Sequence, residues 1–255
     1  MKPFFFFLFL SFAVLWLGTL SFQASAQTSV DRSLLTPEQN AFLKAYEAIK
    51  ANDRPLIAEY KNQLKDYALY PYVLYLDYKY HLDHIPNRLI EYFLDTYSPQ
   101  SPLPRKLRYR WLLKLGKNQN WPLYLKHFQP GQYRSKTLQC YAFKAEMAEK
   151  GLSDTLTQTM QAFWKKHLLL PNTCQSVTQH LRQQQKITGP QIWEKIQRAM
   201  HQGHLKTART LGRDLSKSDR AQLATWIDYH HHPLKIRKGL PRHLNPVVRQ
   251  YIFKH

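Results

Sequence analysis

Seven glutamates, Glu38, Glu47, Glu59, Glu91, Glu146, Glu149 and Glu194, are the side chains of this sequence best suited to acid–base chemistry. A carboxyl that donates a proton near neutrality needs a raised pKa, which comes from burial against apolar walls, and a cleft for its substrate. These seven read as helix starts and exposed helix faces, where a solvated carboxylate is expected, so no catalytic residue is assigned. The histidine pairs His81/His84 and His201/His204 stand three residues apart and would share a helix face, and His230, His231 and His232 form a run. None has a third ligand or a carboxylate at ligating distance along the chain, so no metal site is expected. Phosphate-cradling glycine loops and Gly-x-Ser-x-Gly segments are missing from the sequence, and no cofactor is implied. What remains is binding chemistry. Tyrosines at 67, 70, 72, 75, 78 and 80 could stack on sugar rings, although aromatic residues at helical spacing are core before they are ligand platforms. Lys106, Arg110 and Lys114 form a basic stripe that either lines a groove for an anionic glycan or faces solvent.

Charge points the same way. Lys and Arg number 37 against 17 Asp and Glu, a formal net charge of +20. Such an excess suits nucleic acid in a cytosolic protein. Here Lys2 opens a short positive segment, Phe4 to Leu20 is almost wholly apolar, and Ala24-Ser25-Ala26 offers the small residues of a cleavage site. Residues 1–26 therefore read as a cleavable signal peptide, which leaves 27–255 as an exported, periplasmic chain with no later membrane span. Export argues against a nucleic-acid partner and for an anionic cell-wall polymer, or for charge that keeps an aromatic-rich chain soluble. An exported chain with two cysteines, Cys140 and Cys174, suggests a disulfide, with two free buried thiols as the alternative.

The elements that would carry these residues are helices throughout. Thr36 can cap, Pro37 fits the first helical position, and Gln39 can close a capping box before Phe42, Ala45, Tyr46 and Ile49. Pro55 restarts the pattern with Ile57, Tyr60, Leu64 and Tyr67. Pro71 opens another helix, in which Val73, Leu76 and Tyr80 are expected on one face and Tyr72 and Tyr75 on its flank, so that it needs neighbours on more than one side, as an internal rung does. Turn signals follow at Asn52, His84 to Pro86, Gly116-Lys117-Asn118, Lys150-Gly151 and Gln202-Gly203, the first four 32 to 35 residues apart. That is the length of a two-helix repeat, and such a unit cannot bury its apolar face alone, so the units must stack. Ser98 to Pro104 reads as a linker between units. The expected fold is an all-α solenoid of stacked helical hairpins, a right-handed α-superhelix of TPR-like repeat length, with an atypical tail over 233–255.

Three segments resemble a known family. Leu64-Lys-Asp-Tyr-Ala-Leu-Tyr-Pro-Tyr72, the cysteine pair in Gln139-Cys140-Tyr141 and Pro171-Asn172-Thr173-Cys174, and Trp193 to Met200 with Gly203 are similar to the N-terminal superhelical domain of the soluble lytic murein transglycosylases. The resemblance runs from about Thr36 to Pro233. It implies a helical arc around peptidoglycan glycan strands, with the cysteines paired, and a separate lysozyme-like catalytic domain that cleaves the MurNAc–GlcNAc bond. The family's catalytic glutamate lies in a Glu-Ser segment, and no glutamate here precedes a serine. The sequence thus reads as a non-catalytic, peptidoglycan-associated scaffold, the alternatives being a transglycosylase completed by a separately supplied catalytic domain and a helical-repeat adaptor for envelope proteins. Whether 233–255 ends a truncated gene or a short scaffold stays open at this level.

Overall fold

The computed structural model describes residues 34–97, 101–239, 241 and 243–254. The expected signal peptide lies outside the described residues. Within them are thirteen α-helices and no strand. In order these are α1 (Pro37–Ala51), α2 (Arg54–Gln63), α3 (Tyr70–Tyr80), α4 (Asn87–Tyr97), α5 (Pro102–Lys117), α6 (Trp121–His127) and α7 (Lys136–Lys150). They continue with α8 (Asp154–Lys166), α9 (Gln175–Gln183), α10 (Gly189–His201), α11 (Leu205–Gly212), α12 (Lys217–His231) and α13 (Pro246–Lys254).

Local sequence sets most of the helix ends. Thr36 and Gln39 close the expected capping box on α1, with Pro37 in the first turn. Asp53, Ser101, Ser135, Ser153 and Ser216 each accept a first-turn N–H on α2, α5, α7, α8 and α12, which satisfies donors that have no partner inside a helix. Four hairpin turns share one geometry. Asn52, Gln119, Gln185 and Gly203 take φ of 56°, 57°, 53° and 70°. The next residue then donates to the carbonyl five back: Asp53 to Ala48, Asn120 to Leu115, Lys186 to Leu181 and His204 to Ala199, at 2.8–3.0 Å. This left-handed cap closes a helix sharply enough to bring its partner alongside.

The hairpins stack in chain order and bury three successive apolar clusters. Ala45, Ile49, Ile57, Leu64 and Val73 belong to the first. Tyr78, Phe93, Leu107, Trp111 and Leu115 form the second, and Met160, Trp193, Ile196, Trp226 and Val248 the third. Each helix packs chiefly on its near neighbours in sequence, as a solenoid requires. The expected tail contributes α13, whose Val248 is fully buried in the last cluster.

Three local expectations are corrected. On α3 the buried face is Val73, Leu74, Asp77 and Tyr78, while Tyr80 is 46% exposed. The helix packs against both α1 and α5, as its broad apolar circumference led one to expect, and what differs is the choice of residues on the covered face. The linker expected over 98–104 is shorter, because Pro102 and Pro104 lie in the first turn of α5. Gly116 lies inside α5 and the chain turns at Asn118 to Asn120. A methyl group on Gly116 would overlap the ring of Tyr141 near its root, so glycine is needed here to let α7 approach.

Cys140 in α7 is bonded to Cys174 at the start of α9, with Cα atoms 5.1 Å apart and a sequence separation of 34. Gly116→Ala is expected to lower unfolding free energy by about 2 kcal/mol through overpacking against Tyr141. Replacing both cysteines by alanine should lower it by roughly 3 kcal/mol through the freed loop. Urea unfolding followed by circular dichroism reads both.

Candidate functional site

The basic residues divide into two sets once their partners are known. Lys114, the third member of the expected stripe, donates to the carbonyl of Leu82 at 2.6 Å. Lys106 and Arg110 stay exposed on α5, beside the buried Leu107 and Trp111. Lys114 has counterparts elsewhere: Lys195 donates to Trp164 O at 3.0 Å, Arg198 to Lys165 O at 2.6 Å, and Lys136 to Leu169 O at 3.0 Å. All four bonds join residues 31 to 33 apart. That is one repeat, so part of the positive charge holds hairpin to hairpin.

The carboxylates that the fold draws inward are likewise held by cations. Asp77 is 1% exposed and receives Lys61 and Arg54 from α2, the latter at 3.4 Å, and His81 Nδ1 at 2.7 Å. Glu91 accepts Lys126 and His127, each at 2.8 Å. These bonds hold its carboxyl below the usual range, the opposite of what a proton donor needs. Glu38, Glu47, Glu59, Glu149 and Glu194 lie on exposed faces, and Glu146 is half-buried.

The histidines and tyrosines named from sequence are dispersed. His81 is engaged by Asp77 while His84 is exposed, and His230, His231 and His232 lie at the exposed end of α12. Among the described residues no three His, Cys, Asp or Glu side chains come together as a metal site. Tyr78 packs edge-on against Phe93 at 5.8 Å, and burial pushes its hydroxyl up to about 12. Tyr70 and Tyr75 pack against the middle core and Tyr67 against Phe42. Tyr72 and Tyr80 are the exposed pair of this set.

A groove that the sequence did not single out lies between the α5–α6 turn, α7 and the start of α9. Its volume is about 530 Å³, and Lys117, Trp121, Tyr141, Lys144, Thr173 and Ser176 are among the residues that line it. The rings of Trp121 and Tyr141 are 6.4 Å apart and tilted by 42°, and Lys144 Nζ stands 5.8 Å from the Tyr141 ring centre. The disulfide adjoins it, since Tyr141 follows Cys140 and Thr173 precedes Cys174. No short motif marks this groove, because its walls come from three segments spread over residues 116–176. The cysteine pair was the available clue.

Lys195 was also missed. It is 2% exposed, on the same face of α10 as Ile192 and Ile196, and its ammonium lies 3.9 Å from the Trp164 ring centre. Burial lowers its pKa to about 8 from 10.5, aided by the nearby Arg198 charge. The protonated form is penalised in the folded state, fully so below pH 8, and the penalty lifts as pH rises from 8 towards 10.5, where the unfolded chain still holds the proton. The stability of the native protein relative to Lys195→Met should therefore rise across that window, by up to roughly 3 kcal/mol. Urea midpoints at pH 7, 8, 9 and 10 check the sign.

Neither a protein-family model nor a curated protein sequence matches the chain. Solved structures do. The 70 kDa soluble lytic transglycosylase Slt70 from Escherichia coli superposes with a TM-score of 0.67 at 20% identity, over 84% of this chain and 34% of that one. A 70-kDa soluble lytic transglycosylase in complex with bulgecin A gives 0.67 at 19% identity with the same coverage. An inactive mutant of lytic transglycosylase Slt from Pseudomonas aeruginosa gives 0.69 at 18%, over 83% and 34%. The chain spans about a third of the length of each of these proteins. It has the all-helical, superhelical fold of that part of the soluble lytic transglycosylases.

Proposed function

We propose that this chain is an exported, peptidoglycan-associated scaffold that contributes shape and positive potential and does not cut glycan by itself. The observation that carries this is the likeness in fold, over 84% and 83% of the chain, to two enzymes whose names describe lytic transglycosylase activity. The excess of 37 basic over 17 acidic residues supports an anionic polymer as partner. Lys106 and Arg110 remain solvent-facing for that purpose. Asp77 is taken up by Lys61, Arg54 and the His81 ring and Glu91 is held ionised, so neither stands free beside a glycosidic oxygen. Export rests on residues 1–26, and no described helix is long and apolar enough to cross a membrane.

A second reading follows from the same likeness. Because the chain covers about a third of those enzymes, it would act within a lytic transglycosylase if a catalytic domain were supplied separately. The two readings share the glycan and differ in the product.

Purified protein should co-sediment with isolated peptidoglycan at low salt and detach as ionic strength rises towards 1 M, where screening shortens to about 3 Å. No pelleting at low salt overturns the scaffold reading. Release of 1,6-anhydro-muropeptides by this chain alone overturns its non-catalytic half.

A further inference from the structure

The groove beside the disulfide has a composition that the scaffold role does not by itself require. Its aromatic surface is Trp121 and Tyr141, its charges are Lys117 and Lys144, and no carboxylate lines it. Gln119 and Ser176 add an amide and a hydroxyl, and Thr173 also lines the groove, its hydroxyl oxygen closed off from solvent and without a hydrogen-bond partner in the protein. A wall of this kind matches an amphipathic ring. Sugar C–H faces lie against aromatic rings while ring hydroxyls meet short polar side chains, the usual pairing of an apolar surface with a few placed polar groups. Two ammonium groups with no carboxylate among the residues lining the groove favour a ligand that also bears a negative charge.

The groove is also built to keep its form. Gly116 lets the Tyr141 ring lie against α5, and the Cys140–Cys174 bond ties the Tyr141 wall to the Thr173 wall. A site held open before its ligand arrives loses less conformational entropy on binding.

We propose that this groove is a subsite for an acidic sugar, whose ring stacks on Trp121 and Tyr141 and whose carboxylate pairs with Lys117 and Lys144. The proposal rests on the peptidoglycan-associated reading, and it names the chemical feature of the polymer that would be held: a ring whose carboxylate is free, as on a muramic residue that carries no stem peptide.

The test is an NMR titration of the indole resonances, with Trp121 assigned through Trp121→Phe. The probes are a GlcNAc–MurNAc disaccharide, neutral diacetylchitobiose and sodium acetate. The Trp121 signal should shift saturably with the acidic disaccharide, and Lys117→Ala with Lys144→Ala should weaken that binding about tenfold, the loss expected for a charge-assisted contact. Both lysines reach solvent, and circular dichroism confirms that the double variant is folded. No Trp121 shift beyond that produced by acetate overturns the subsite. Equal affinity for chitobiose, or no loss in the double variant, overturns its preference for an acid. Co-sedimentation separates the two claims: pelleting without any Trp121 shift sinks the groove and leaves the scaffold, whereas a saturable shift without pelleting does the reverse.

Discussion

The carbonyl groups at the ends of stacked hairpins need donors, and in this protein the donors come from one repeat away. Lys114, Lys136, Lys195 and Arg198 each donate to a backbone carbonyl 31 to 33 residues distant. Trp164 and Lys165 lie in the last turn of α8, where carbonyls have no partner inside the helix and the dipole favours a cation. A hydrogen bond to a charged donor contributes roughly 1.5–3 kcal/mol. Its larger effect is on register, since a slip by one residue would leave both an ammonium and a carbonyl unpaired. Part of the protein's positive charge is therefore structural, a further part is paired with carboxylates, and side chains such as Lys106 and Arg110 stay exposed.

The same logic explains the two most deeply buried charges. Asp77 fixes α3 against α2 through Lys61 and Arg54, and Lys195 fixes α10 against the end of α8. An isolated charge at either place would cost several kcal/mol. Here each is surrounded by partners of defined direction, so the sites select one arrangement of neighbouring helices more than they add stability. Glu91, clasped by Lys126 and His127, joins α4 to α6 in the same manner at a more exposed point.

Rigidity in the middle of the chain has a second source. Gly116 lets α5 and α7 come together, and the disulfide continues the connection to α9. These two devices meet at the groove lined by Trp121, Tyr141, Lys117 and Lys144. Elsewhere the hairpins depend on noncovalent packing, so this is the stretch in which side chains from three successive repeat segments are kept in fixed relation. Shape here is decided by covalent and steric limits, and charge by what the neighbouring helices leave unpaired.

Much of the architecture was legible in the residues themselves. Thr36, Pro37 and Gln39 act within one helical turn, and the left-handed caps at Asn52 and Gly203 depend on a few adjacent residues, so short-range chemistry determined them. The helical period and the recurrence of turns likewise announced a stack of hairpins. Other features followed only from packing. The apolar circumference of α3 announced more than one neighbour, but not that Asp77 would be buried and Tyr80 left out, because the ion partners of Asp77 come from α2. Lys114 and Lys195 read as solvated charges until the carbonyls they reach are in place, and Gly116 read as a turn until Tyr141 lay across it. Sequence determines what a segment does with its own backbone. Which of its polar groups are satisfied, and which surfaces are left over for a ligand, is decided by segments a full repeat away, through contacts that no local pattern encodes.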